Sequence, residues 1–287
     1  MIRRVCGIAA VLAIALVGCL AGPATAGPSV GRGGNDETAP ELFGAALSDN
    51  PSIVALVRTG TGTVTSRAYC SGVLIHPSYV LTAQHCVRAV PRQSMVAVIG
   101  RSDLEASGTG QVRSASRFFT MPGYYVDGVS GPSDVALIKL ASPSTLPHIP
   151  VAGGDVTGQW NAGTDVRIYG YGRYCGTCGM SRQQRNAVFR INTLDPSDPG
   201  FTPYHKMIYT WSGRQTCRGD SGAPVTSLTS KGRRVVGIHS AGYSQACDGS
   251  RGSVGMIVGY RGRSQSPAYY WVTDCMRDSA YCGSGQF

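Results

Sequence analysis

Lysine is almost missing from this 287-residue sequence: only three of the 26 basic residues are lysine, and with 16 acidic residues the charged fraction is just 15%. No charge run or long low-complexity tract interrupts the chain. With 42% apolar residues it can bury enough surface to offset ordering entropy, which excludes intrinsic disorder. A helical period is also lacking over most of the length, and 39 glycines with 16 prolines argue against a helical bundle. No repeat of about 20–50 residues is found, which removes solenoids and propellers. Beyond the first 26 residues no apolar run approaches the ~20 residues that a bilayer requires, so no membrane span is expected. The formal charge of +10 would suit nucleic acid. The arginines, however, are scattered singly rather than grouped with aromatics, so they read as solubility and general attraction for anions, with no specific nucleic-acid partner.

What is present begins with an export signal. Arg3 and Arg4 form a positive start, Val5 to Leu20 an apolar stretch, and Ala24-Thr25-Ala26 a small-residue cleavage site. Residues 1–26 therefore read as a signal peptide, the mature chain as starting at Gly27, and the protein as secreted. Two rivals remain: Leu16-Val17-Gly18-Cys19 resembles a lipoprotein cleavage box that would anchor Cys19, and Arg3-Arg4 could open a twin-arginine signal. Residues 27–45, polar and glycine-rich, read as a pro-segment or N-terminal arm. Loss of Cys6 and Cys19 with the signal leaves Cys70, Cys86, Cys175, Cys178, Cys217, Cys247, Cys275 and Cys282, an even set for which disulfides are the default in an exported chain. Cys175-Gly-Thr-Cys178 has zinc or redox spacing. With no second such pair and no paired histidines it reads as a small disulfide loop, and no metal is expected.

Short β-type runs recur at 53–57, 73–75, 79–82, 95–99, 135–140, 166–169, 188–191, 207–210, 235–239 and 254–258, separated by Gly, Pro, Ser and Asp clusters. They predict an all-β sandwich or barrel pair, with one helix over Ala268 to Asp278.

Three signatures then follow in order: Leu81-Thr-Ala-Gln-His85-Cys86, Ser133-Asp134-Val-Ala-Leu-Ile-Lys-Leu140, and Cys217-Arg-Gly-Asp-Ser221-Gly-Ala-Pro224. Through them the chain resembles the chymotrypsin/trypsin-like serine peptidases, from about Ser52 to the C-terminal helix. The order His, Asp, Ser distinguishes it from subtilisins and α/β-hydrolases, and Ala223 breaks the Gly-x-Ser-x-Gly elbow of the latter. The resemblance implies two six-stranded antiparallel β-barrels of the chymotrypsin type, at 46–152 and 153–287, the second with a short terminal helix. It further implies a monomer without cofactor, acting on a protein or peptide substrate.

The residue types fit that chemistry. A serine hydroxyl is a poor nucleophile at neutral pH, so His85 must take the proton of Ser221 and return it to the leaving amine, while Asp134 fixes the imidazole tautomer. Taken singly, His85 reads as a strand-end histidine and Asp134 as a strand cap; together with Gly-Asp-Ser-Gly they read as a triad. By resemblance, the N–H groups of Gly219 and Ser221 form the oxyanion hole, where a glycine permits close approach. Asp220 by resemblance pairs with a new N-terminal amine after zymogen cleavage, although no Ile-Val-Gly-Gly start lies near residue 40. Gln84, where the family has a small residue, is a second departure. Arg218-Gly219-Asp220 spells an adhesion tripeptide, but here it belongs to the serine loop. By resemblance Cys70 pairs with Cys86 and Cys217 with Cys247. Cys175 with Cys178 and Cys275 with Cys282 follow by proximity, a connectivity that sequence alone leaves open.

The specificity pocket is expected from Gln215, Thr216, His239, Ser240 and Gly242. Trypsins carry an aspartate six residues before the nucleophile; here that position is Gln215, which disfavours Lys or Arg before the cut. Thr216 and Gly237-Ile238-His239 match the glutamyl endopeptidase branch, so the resemblance implies cleavage after Glu or Asp. An imidazole and a hydroxyl can bind a carboxylate without stranding a permanent charge in the empty pocket. If His239 acted as an imidazolium, glutamate binding would weaken as pH rose through the ordinary histidine range. The competing reading makes His239 a buried strand histidine beside a pocket for uncharged side chains. Two other function classes stand against a peptidase. One is a catalytically silent binding homologue, disfavoured by the intact His85, Asp134 and Ser221. The other is a nucleic-acid binder, which would show salt-sensitive affinity.

Overall fold

The computed structural model describes residues 45–122, 134–156, 160–194, 206–210, 213–242, 247–249, 252–262 and 266–282, all within one compact unit. The expected signal peptide and all but the last residue of the expected arm lie outside the described residues, as does Ser133.

A short first strand, β1 (Ala46–Leu47), precedes six strands that close a barrel: β2 (Ile53–Arg58), β3 (Ala68–His76), β4 (Tyr79–Thr82), β5 (Met95–Ile99), β6 (Gln111–Thr120) and β7 (Ala136–Leu140). Around the barrel the order is β2, β3, β4, β7, β6, β5, every neighbour antiparallel. Its wall is buried on both faces: Ile53, Leu81 and Leu137 lie on one, Leu56, Leu74 and Phe118 on the other, each at most 1% exposed. Such side chains contribute about 1.5–3 kcal/mol apiece on burial.

The second barrel comprises β8 (Asp165–Gly170), β9 (Arg185–Leu194), β10 (Lys206–Thr210), β11 (Pro224–Thr229), β12 (Gly232–Gly242) and β13 (Ser253–Ile257). Pairing of β9 with β8 closes it, and β1 adds to β9 at Ala46↔Asn186 and Leu47↔Arg185. The strand that precedes the first barrel thus pairs with the second. Trp160, Phe189, Met207, Tyr209 and Val236 form the core.

Two short helices, α1 (Val64–Arg67) and α2 (Gln84–Arg88), interrupt the first barrel, and α3 (Pro267–Arg277) follows the second. Pro267 starts α3 where a missing N–H costs nothing, and Ala268, Val272 and Cys275, at i, i+4 and i+7, face inward. Four disulfides are present, Cys70–Cys86, Cys175–Cys178, Cys217–Cys247 and Cys275–Cys282, the pairing expected. Among the described residues no helix is long and apolar enough to cross a membrane.

Candidate active site

The two barrels each supply part of one site. His85 sits on α2 beside the buried Gln84, and Asp134 lies two residues before β7. The His85 Nδ1 lies 2.8 Å from Asp134 Oδ2, and the His85 backbone N–H donates to Oδ1 at 2.9 Å. Ser240, on β12 of the other barrel, donates its hydroxyl to Oδ2 at 2.6 Å. An ionised carboxylate only accepts, so the imidazole proton belongs on Nδ1 and Nε2 is left as the acceptor.

Electrostatics support that assignment. Burial alone would raise the Asp134 carboxyl, but hydrogen bonds from His85 and Ser240, with the histidine's charge, hold it below the usual carboxylate range. Burial likewise pulls the His85 imidazole down, and the bond and charge of Asp134 outweigh it, leaving His85 above its ordinary value. The Asp134 side chain is fully buried, whereas that of His85 is 35% exposed, so the imidazole can meet a substrate.

Ser221 lies on the loop before β11, pressed against the first barrel. Ser71 of β3 is the hub of that contact: its N–H donates to Ser221 O at 2.8 Å and its hydroxyl to Gly219 O at 3.0 Å, while it accepts from the Tyr171 N–H. Sequence reasoning did not single out Ser71, whose partners lie far along the chain. The loop turns at Gly219 (φ 101°) and Gly222 (φ 82°), a backbone region that L-residues with a Cβ rarely adopt. Among the described residues the N–H groups of Gly219 and Ser221 find no acceptor, leaving two backbone donors beside the hydroxyl. Asp220, fully buried, accepts from the N–H of Cys217 (2.8 Å) and Gly172 (3.0 Å), and burial pushes its carboxyl up to about 7. The Arg218-Gly219-Asp220 tripeptide therefore does not display its carboxylate. Any amine released by processing near residue 40 falls outside the described residues.

Two cavities meet at Ser221. One, of about 430 Å³, is walled by Thr216, Cys217 and Arg218, by His239 to Gly242, by Cys247, and by Arg173 with the Cys175–Gly176 loop. Thr216, His239, Ser240 and Gly242 thus come together as expected. Gln215 does not join them; it is buried behind the wall, where its Oε1 accepts from the Gly249 N–H. His239 Nδ1 is 2.7 Å from the Tyr209 hydroxyl, a partner not foreseen from sequence, and the ring also hydrogen-bonds the Val254 backbone. Burial, aided by the neighbouring His85, drives the His239 imidazole down to about 3, against smaller raising effects of Asp134 and Val254. Burial thus favours the neutral ring in the empty pocket, against the imidazolium form considered for His239. Pairing of β11 with β12 begins at Pro224↔Ile238, so Ser240 to Gly242 carry no β11 partner and offer a strand edge to an extended peptide.

Grouping Cys70, His85 and Cys86 by proximity mimics a metal cluster, but the two sulfurs are bonded to each other and are not free thiolates.

Comparison with known proteins agrees with this architecture. The family described as Trypsin matches residues 45–257. A trypsin-like protease of Streptomyces glaucescens is 34% identical over 192 residues, 64% of this chain and 68% of that protein. A trypsin of Saccharopolyspora erythraea is 27% identical over 221 residues, 75% of this chain and 92% of that protein. The solved structure of the Vibrio cholerae VesB protease superposes with a TM-score of 0.61 at 24% identity, covering 81% of this chain and 66% of that one, a likeness of fold. With a barrel pair, a family match over most of its length and a serine loop closed against the histidine helix, the chain belongs to the trypsin family of serine endopeptidases.

Proposed function

We propose that this chain is a secreted endopeptidase that forms an acyl-enzyme on Ser221 and cleaves after glutamate, or less readily aspartate. The 2.8 Å bond that aims the His85 ring from Asp134 carries the catalytic part. As Ser221 Oγ bonds to the scissile carbonyl carbon, His85 Nε2 takes the hydroxyl proton. The oxyanion is met by the N–H groups of Gly219 and Ser221. On collapse the C–N bond breaks and the proton passes to the leaving amine; water then repeats the cycle and frees the acid. Four disulfides support export, since such bridges persist in oxidising compartments.

For specificity, the supporting observation is the make-up of the pocket wall. It holds hydroxyls, a neutral imidazole and the arginines Arg173 and Arg218, and among the described residues no carboxylate to pair with Lys or Arg. A second reading, a pocket for uncharged side chains, draws on a different observation. Both groups offered as donors already have protein partners: His239 in Tyr209 and Val254, and Thr216 in Ser253 at 2.5 Å.

Peptides differing only as Glu, Gln, Leu or Arg before the cut separate the two. Glu should exceed Gln in kcat/KM by about tenfold, the worth of one charge-assisted contact. Because burial holds the His239 ring neutral, that ratio should stay flat from roughly pH 5.5 to 8, once the substrate carboxylate is ionised. Cleavage after Leu or Arg as fast as after Glu would reject the glutamate assignment and leave the acyl-enzyme chemistry standing.

A further inference from the structure

The second cavity at Ser221, about 500 Å³, shares Arg173 and Arg218 with the pocket described above and lies on their other side. It is lined by His85, the Cys70 end of the first bridge, Tyr69, Met180 and Gly219, and by three arginines, Arg58, Arg173 and Arg218; no residue of β12 borders it. Its chemical position follows from the proposed reaction. The acyl portion of a substrate lies along Ser240 to Gly242. The leaving amine must sit where His85 can return a proton, which is the side of Ser221 that this cavity occupies.

The three arginines converge from separate elements. Arg58 ends β2 and stacks over the Tyr69 ring at 4.3 Å, Arg173, just beyond β8, bridges to Met180, and Arg218 precedes Gly219 on the serine loop. Among the described residues none of them forms an ion pair. Glu105, whose carboxylate accepts from the N–H groups of Val64 and Thr65 and from the Thr65 hydroxyl, forms no ion pair with them. Three unpaired guanidinium groups around one cleft repel one another and create a site of positive potential, which a substrate carboxylate relieves.

We infer that this cleft receives an acidic side chain from the leaving half of the substrate, with Arg58, Arg173 and Arg218 as its specificity-determining residues. The inference rests on the acyl-transfer reading and concerns the residues after the cut; Arg173 and Arg218 stand between the two cavities, and Arg58 borders this one and not the glutamate pocket.

The test uses the full protein and peptides with one fixed residue before the cut, carrying Asp, Ala or Lys at the first and second positions after it. The Asp-to-Ala ratio of kcat/KM should be about tenfold at ~0.05 M salt, the combined worth of two or three half-exposed charge contacts, and should shrink several-fold by ~1 M salt. In the Arg58→Gln, Arg173→Gln, Arg218→Gln triple variant the ratio should approach one. A ratio near one in the unaltered protein, or one that persists in the triple variant, would overturn the inference. Labelling of Ser221 by a small neutral acylating reagent is measured in parallel. Retained labelling with no acidic preference rejects this cleft alone, whereas absent labelling rejects the acyl-transfer reading beneath it.

Discussion

Ser221→Ala, His85→Ala and Asp134→Asn should each lower kcat/KM by about 10⁴-fold or more, and a double variant should lose little beyond the worse of its singles. The non-additivity follows from the geometry. Without the Ser221 hydroxyl there is no proton for His85 to accept. Without the Asp134 carboxylate nothing holds the proton on Nδ1, and asparagine can offer its amide N–H to the ring and turn the wrong nitrogen toward the substrate. Serine-directed phosphonylating reagents should label Ser221 in the native chain and not in Ser221→Ala. A Ser221→Ala chain that cleaves peptides at near the native rate would sink the triad.

The same pair sets the pH profile. Only the neutral imidazole can accept the serine proton, and the Asp134 bond and charge lift His85 above 6.5 despite its burial. The acid limb of kcat/KM should therefore have its midpoint above 6.5. Protonated His85 is favoured by the fold, so its contribution to stability is complete below its unfolded value and fades as pH rises through the raised one. In Asp134→Asn both raising effects vanish while burial persists, and the imidazole resonance followed by NMR should titrate below 6.5. A resonance that titrates at the same pH in both chains would show that Asp134 does not govern the ring.

Much of this was legible in the sequence because it is local. Ten of the observed strands were anticipated from short β-branched runs, and α3 begins one residue before its expected start. The omissions have physical causes. In β6 (Gln111–Thr120) the first half sets Gln111 and Arg113 between Val112, Ser114 and Ala115, with Val112 and Ser114 exposed, so the apolar pattern is weak until Phe118 and Phe119. In β11 (Pro224–Thr229) the buried positions include Thr226, Ser227 and Thr229; Thr226 donates to Arg167 O and Thr229 to Gly232 O, so satisfied hydroxyls replace the apolar pattern. The site shows the same division. His85, Asp134 and Ser221 stand in motifs, whereas Ser71, Tyr209, Arg58 and Arg173 gain meaning only when distant strands bring them together. Gln215 was misplaced for the complementary reason: counting back from the serine gives a position on the loop but not the direction of its side chain.

Gly222→Ala should destabilise the protein by on the order of 3 kcal/mol and lower Tm by roughly 6–12 °C, more than any single exposed substitution. Two costs add. Holding φ at 82° with a Cβ costs about 1–2 kcal/mol. The added carbon would also lie well inside contact distance of Ser71 O and Thr82 Oγ1, which are bonded to each other at 2.8 Å. Neither neighbour can yield cheaply. Ser71 O is backbone of a central strand, and moving it pulls on the Ser71 N–H that holds Ser221 O, so the nucleophile shifts with the barrel contact. Gly219→Ala gives the contrast. Its φ of 101° carries a similar strain, yet its Cβ would first meet Met180 Sδ and Cε, the free end of a flexible side chain that can swing aside. That variant should melt closer to the native protein and show its damage in catalysis, because Met180 lines the leaving-side cleft. Thermal melts and the rate of serine labelling on both variants decide the matter. If Gly222→Ala melts within about 1 °C of the native chain and labels at an unchanged rate, the contact between Ser71 and the serine loop is not what fixes Ser221.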